Sequence, residues 1–168
     1  MVALAVSPAG CTQVVPGAGA PREPVVAVTP PTSRGGLVAD PVADECLLDA
    51  SEFGALVGRA VRPPRTSTVT RADGTTASSC VALAGSGPVG MINVYGVRDG
   101  TPAERVRAAG RRLLDGVGEA AAVVDTATGP ALQLATRTYL VTILVTDRKP
   151  SDAAWRTAAT AALTRLPA

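Results

Sequence analysis

The chain has 168 residues, 46% hydrophobic, 18% charged and 2% aromatic, with 16 basic and 14 acidic side chains and a net charge of +2. That length makes one domain with a core of its own plus a tail. Neither the charge nor one Trp, two Tyr and one Phe supplies the basic, stacking surface that nucleic acid needs. The absence of histidine removes Ser-His-Asp triads, Cys-His dyads, HExxH zinc sites and imidazole acid–base chemistry together, and no apolar run reaches the roughly 20 residues of a membrane-spanning helix.

Residues 1–10 are short and apolar and end in Pro8-Ala9-Gly10 before Cys11. Apolar residues followed by small ones have the shape of a secretory signal. A cysteine at the cut is similar to a bacterial lipobox, in which the thiol takes a diacylglycerol and becomes the new N-terminus. The reading is a signal-peptide remnant over 1–10, with an upstream start codon supplying the basic part, and lipid attachment at Cys11. The alternative is an N-terminal segment with an incidental cysteine. Residues 11–39 hold Pro16, Pro21, Pro24, Pro30 and Pro31 among Gly, Ala, Thr and Val, and read as an extended, lipid-anchored linker. Fully extended, it reaches roughly 90 Å at about 3.3 Å per residue. Two acyl chains provide the two signals that stable anchoring takes.

The globular domain is placed at 40–168. With Cys11 assigned to lipid, Cys46 and Cys80 are the remaining cysteines, and an exported chain can keep them as a disulfide. Two free buried thiols are the alternative; two cysteines without histidine make a poor metal shell. Asp49 with Glu52 three residues on resembles a capping box. Phe53, Leu56 and Val57 follow at helical spacing and Gly58 is a stop, predicting a helix over about 50–58. Arg59, Arg62 and Arg65 with Pro63-Pro64 form its exit loop.

Thr66–Arg71 is β-favouring, Asp73-Gly74 suits a hairpin, and the return strand over 75–84 places Cys80, Ala82 and Ala84 on one face and Val81 and Leu83 on the other. A third strand over 89–97 completes a meander. Gly85, Gly87 and Gly90 spell GxGxxG, but a strand follows where a phosphate-binding helix would have to start, so the motif reads as a turn.

Thr101-Pro102-Ala103-Glu104 opens a second helix, with Val106, Ala109, Gly110, Leu113 and Leu114 as its apolar stripe. Arg105, Arg107, Arg111 and Arg112 decorate it, either as a solvated face or as a candidate patch for anionic lipid heads and acidic partners. Strands follow over 119–125 and 131–135. Tyr139–Val145 is nearly all apolar, so it is expected to be central and covered on both faces. Ser151 caps a final helix, whose Trp155 is expected to anchor it to the sheet rather than to stack on a ligand. The predicted fold is α+β: a mainly antiparallel sheet of about six strands in the order α-βββ-α-βββ-α, with helices packed on it.

Asp44-Glu45-Cys46-Leu47-Leu48-Asp49-Ala50-Ser51-Glu52-Phe53 resembles the opening of the DUF3558-type lipoproteins of actinobacteria, a family without established activity. Cys80 matches that family's second cysteine. The aromatic residue the family carries just after it is Val81-Ala82 here. The resemblance spans roughly 40–168 and is sharp at 44–58; one lysine among 16 basic residues suits the same bacteria. In outline the element order is also similar to the sensor-domain and PsbP/Mog1-like lipoproteins of mycobacteria. What the resemblance implies is location: the outer face of the cytoplasmic membrane, lipid-anchored and extracytoplasmic.

Three functions compete. The first is a non-catalytic binding or interaction module for a cell-envelope protein or ligand. The second is a carrier holding a small hydrophobic ligand or lipid in a cleft between sheet and helices. The third is an enzyme, for which Asp125 and Asp147 near strand ends are the available acid–base pair. The expected reading is the first: no catalytic residue, no cofactor, no metal and no nucleic acid.

Overall fold

The computed structural model describes residues 36–70, 74, 76–109 and 112–167. The predicted signal remnant, Cys11, the predicted linker as far as residue 35 and Arg111 lie outside them. The described chain runs β1 (Leu37–Ala39), α1 (Ala50–Val57), β2 (Arg65–Thr70), β3 (Thr76–Ala84), β4 (Gly87–Val97), α2 (Pro102–Ala109), β5 (Arg112–Leu113), β6 (Ala120–Thr126), β7 (Gly129–Ala135), β8 (Tyr139–Val145) and α3 (Asp152–Arg165). The class is α+β as predicted, but the sheet has eight strands rather than about six. Every pairing is antiparallel, and the sheet is open, in the order β2-β3-β4-β8-β7-β6-β5. β1 pairs with β4 at Tyr95–Val97, beyond the stretch of β4 that β3 occupies.

The two strands that sequence reading missed have definite causes. β1 is three residues long and lies where composition assigns linker, too short to show an alternation; the sheet therefore starts inside the predicted 11–39 segment. Asp40 ends β1 in the left-handed region at φ 53°, which Asp tolerates, and its carboxylate accepts the Ser78 N–H at 3.0 Å. β5 is two residues long, and helical spacing from Val106 and Ala109 places Leu113 in the predicted second helix. That helix stops at Ala109, before a glycine that disfavours helix. Leu113 is then 54% exposed while Leu114 is buried, an alternation of period two, and Leu113 pairs with Ala122 of β6.

The register assigns each strand residue to a face. One face carries Cys80, Ala82, Ile92, Val94, Val123, Leu132, Leu134, Val141, Ile143 and Val145, and packs with Phe53, Leu56 and Val57 of α1 and Trp155, Ala158, Ala159 and Ala162 of α3 into the main core. Trp155 is fully buried there, as an anchor of α3. The opposite face receives α2, whose Ala103 and Val106 cover Ala122, Ala135 and Leu140. β8 is central, between β4 and β7. It is covered on both faces only at its start, since Thr142 and Leu144 on the α2 side stay partly exposed.

The predicted caps are in place. Asp49 accepts the Glu52 N–H at 2.9 Å, Glu52 accepts the Asp49 N–H at 2.8 Å, and Gly58 closes α1 at φ 73°. Cys46 and Cys80 form a disulfide with Cα atoms 4.9 Å apart, tying the segment before α1 to β3. Arg165, at the end of α3, donates to both carboxylate oxygens of Glu52 at 2.7 and 3.1 Å and to the Leu47 carbonyl at 3.0 Å. The hydrogen bonds to Glu52 hold its guanidinium pKa above the ordinary value. At α2, Thr101 donates its N–H to Glu104 at 2.8 Å and its hydroxyl oxygen accepts the Glu104 N–H at 3.2 Å. The Thr101 backbone N–H and then its hydroxyl, both acting on the Glu104 carboxylate, with the charge of Arg107, lower the Glu104 pKa.

Three outcomes follow from these ties. Replacing both Cys46 and Cys80 by Ser removes a closure of 34 residues in sequence and should lower unfolding stability by about 3–4 kcal/mol in a denaturant titration; an unchanged midpoint contradicts the staple. Arg165→Ala should cost about 1–2 kcal/mol, and Arg165→Lys should recover less than half, because an ammonium cannot bridge two oxygens side by side. Glu104 is a carboxylate whose folded pKa lies below its ordinary value near 4.5. Its contribution is complete above that value and fades as pH falls through the lower, folded one. The Tm gap between native protein and Glu104→Gln should hold from pH 7 to about 5 and narrow below; a gap that widens in acid contradicts it.

Candidate functional site

The described residues singled out in the sequence engage in separate contacts. Asp125 ion-pairs with Lys149 at 3.4 Å, and Asp147 pairs with Arg59; the two carboxylates are 76% and 59% exposed. Each belongs to a different surface pair. The described arginines of the predicted second helix have separate partners as well. Arg105 donates to the Asp99 carbonyl at 3.5 Å, Arg107 to the Glu119 carbonyl at 3.0 Å, and Arg112 to Asp152. Arg105 and Arg107 lie on α2 while Arg112 lies on β5, and their bonds reach neighbouring loops and the start of α3. The GxGxxG glycines belong to the β3–β4 hairpin: Gly85 turns the chain at φ 62°, and Gly90 lies under Phe53, where a Cβ would come within 2.7 Å of its ring. Among the described residues no group of three His, Cys, Asp or Glu side chains is placed to hold a metal, and no helix is long and apolar enough to cross a membrane.

The arrangement that can bind something lies on the α2 side of the sheet, beyond α2 itself. Two neighbouring rows cross it in register. Ser67 of β2 pairs with Ser79, Asn93 with Thr142, and Thr142 with Gln133, and the Ser79 hydroxyl donates to the Asn93 side-chain carbonyl. This row is polar. Beside it Arg65 pairs with Val81, Val81 with Met91, and Met91 with Leu144. That row begins on a cation and continues apolar, with Val81, Met91 and Leu144 partly exposed.

At the β2–β3 end the rows open into a groove of about 460 Å³ lined by Arg62, Pro63, Arg65, Ser67, Val81 and Leu83. The α1–β2 loop forms one wall and is fixed there because the Arg62 N–H donates to the Leu83 carbonyl at 2.8 Å. Arg62 and Arg65 are exposed, and among the described residues neither side chain has a hydrogen-bond or ion-pair partner. The volume lies in the range of small-molecule sites, and the lining combines a few polar groups with an apolar floor, as such sites do.

Sequence reading placed Arg62 and Arg65 in an exit loop and gave them no role. It did put Val81 and Leu83 on the face opposite Cys80, which is where they are. The available signal was a pair of arginines three residues apart beside an outward-facing apolar pair. It points nowhere until the register sets Arg65 opposite Val81. Comparisons of the chain with family models, with curated proteins and with solved structures find no match.

Proposed function

We propose that the chain is a lipid-anchored, extracytoplasmic binding module of the cell envelope, without catalysis, that takes its ligand on the sheet face away from α1 and α3. The groove at Arg62, Arg65, Val81 and Leu83 carries this reading: two cations without a partner among the described residues stand there beside partly exposed apolar side chains on a disulfide-stapled scaffold. The lipobox-like Cys11, the Pro-rich linker and the resemblance of residues 44–58 to DUF3558-type lipoproteins support the location. The separate ion pairs of Asp125 and Asp147 support a role other than acid–base chemistry.

Carriage of a ligand between sheet and helices is the weaker reading. That space is filled by Trp155, Phe53, Leu56, Ile92, Leu132 and Ile143, each at most 2% exposed, and packed interiors leave few voids larger than a water.

The anchor is tested in the native host by mass spectrometry of the N-terminal tryptic peptide from the membrane fraction. The expected peptide runs from Cys11 to Arg22, begins at the cysteine and carries a diacylglycerol. Cys11→Ser should move the protein out of that fraction. Recovery of an unmodified thiol with residues 1–10 still attached contradicts the anchor.

A further inference from the structure

We infer that the groove at the β2–β3 end is a site for a single-chain amphiphile with an anionic head, the head held by Arg62 and Arg65 and the chain laid along Val81, Met91 and Leu144. The inference rests on the reading of this face as the binding face and adds the chemistry of what binds.

The head is assigned from charge. Two guanidinium groups line one groove, and the lining contains no Asp or Glu. Guanidinium recognises carboxylate and phosphate through paired N–H donors, and it is more weakly hydrated than an ammonium, so it gives up water to an anion more readily. Ser67 adds a hydroxyl donor in the same lining.

The tail is assigned from the register. Arg65 opposes Val81, Val81 opposes Met91 and Met91 opposes Leu144, so one straight row leads from the cation across the sheet. Three strand spacings make it roughly 14 Å long. Leu83 and Pro63 widen its start. The polar row from Ser79 to Gln133 runs alongside and borders the strip on one side. A small free anion leaves this strip unused, and a neutral hydrocarbon leaves the arginines unused. A nucleotide lacks a partner here, since no aromatic ring lines the groove.

The test is calorimetric titration of the full chain with laurate below its micelle concentration, with octanoate, acetate and dodecanol as comparators, and with phosphatidylglycerol vesicles as a separate arm. Laurate is expected to bind one to one. Octanoate should bind more weakly, by about three- to four-fold per methylene removed at full burial. Acetate and dodecanol should each bind at least about ten-fold more weakly than laurate, the worth of one charge-assisted contact or more. The double replacement of Arg62 and Arg65 by Ala should weaken laurate by at least about ten-fold, and Val81→Asp should do the same from the apolar side. Both sets of changes lie on exposed or partly exposed positions, and an unchanged near-ultraviolet spectrum shows that the fold persists.

Equal binding of acetate and laurate, binding of vesicles without laurate, or laurate affinity indifferent to the arginine pair overturns the inference. Mass spectrometry of small molecules retained by the protein from its own envelope extract separates the two levels. A retained compound of another class, lost on replacing Arg62 and Arg65, overturns the amphiphile and leaves the binding face standing. Neither laurate binding nor any retained compound removes both.

Discussion

Residues 46–52 are held from three directions, and the placing of the helices depends on it. Cys46 is bonded to β3, the Leu47 carbonyl and the Glu52 carboxylate are gripped by Arg165 from the far end of α3, and Asp49 and Glu52 cap α1 between them. The ties differ in kind. Arg165 is 38% exposed and its pair with Glu52 is worth little beside the core, where each large side chain contributes about 1.5–3 kcal/mol on burial. Leu47, Leu48, Phe53, Leu56 and Val57 all enter that core within a few residues of the staple. The apolar side chains supply most of the stability; the disulfide and the clamp decide where they go, by bringing the start of α1 and the end of α3 to one place on one face of the sheet.

The other face is under-covered for a geometric reason. α2 has eight residues and is about 12 Å long, while seven strands side by side span roughly 29 Å. One such helix shields β6, β7 and the start of β8 and leaves the β2–β3–β4 side to other means. The side chains there fit that position: hydroxyls and amides that can bond across strands alternate, row by row, with aliphatic groups of moderate size. Ser79 and Asn93 are buried on this side, and the hydrogen bond between them offsets the cost of burying their polar groups.

What could be read in the sequence was whatever is written locally. The caps at Asp49, Thr101 and Ser151, the hairpin breaker at Gly85, and the run Tyr139–Val145 carry their structural meaning within a few residues, and each element they mark is present. Leu113 and Leu114 were misread because their spacing from Val106 and Ala109 suits a helix, and only pairing with β6 decides for a strand. β1 was lost because three residues carry no period. The groove was out of reach for a stronger reason. Arg65 and Met91 share a row because β3 stands between them, which no window along the chain displays, and an unpaired arginine looks the same in sequence as one that grips a carboxylate.

The seam between β4 and β8 has a kinetic consequence. β2–β3–β4 and β6–β7–β8 are each built from neighbouring strands joined by short connections, whereas β4 and β8 meet with residues 98–138 between them. Local pairings close cheaply and early; a pairing across a long loop waits until that loop's entropy has been overcome. Two half-sheets formed first and zipped along one line afterwards are the assembly order this topology favours. The disulfide joins residues that both precede β4, so it steadies the first half without shortening the loop that the seam must close, and oxidation before folding leaves the slow step where it was.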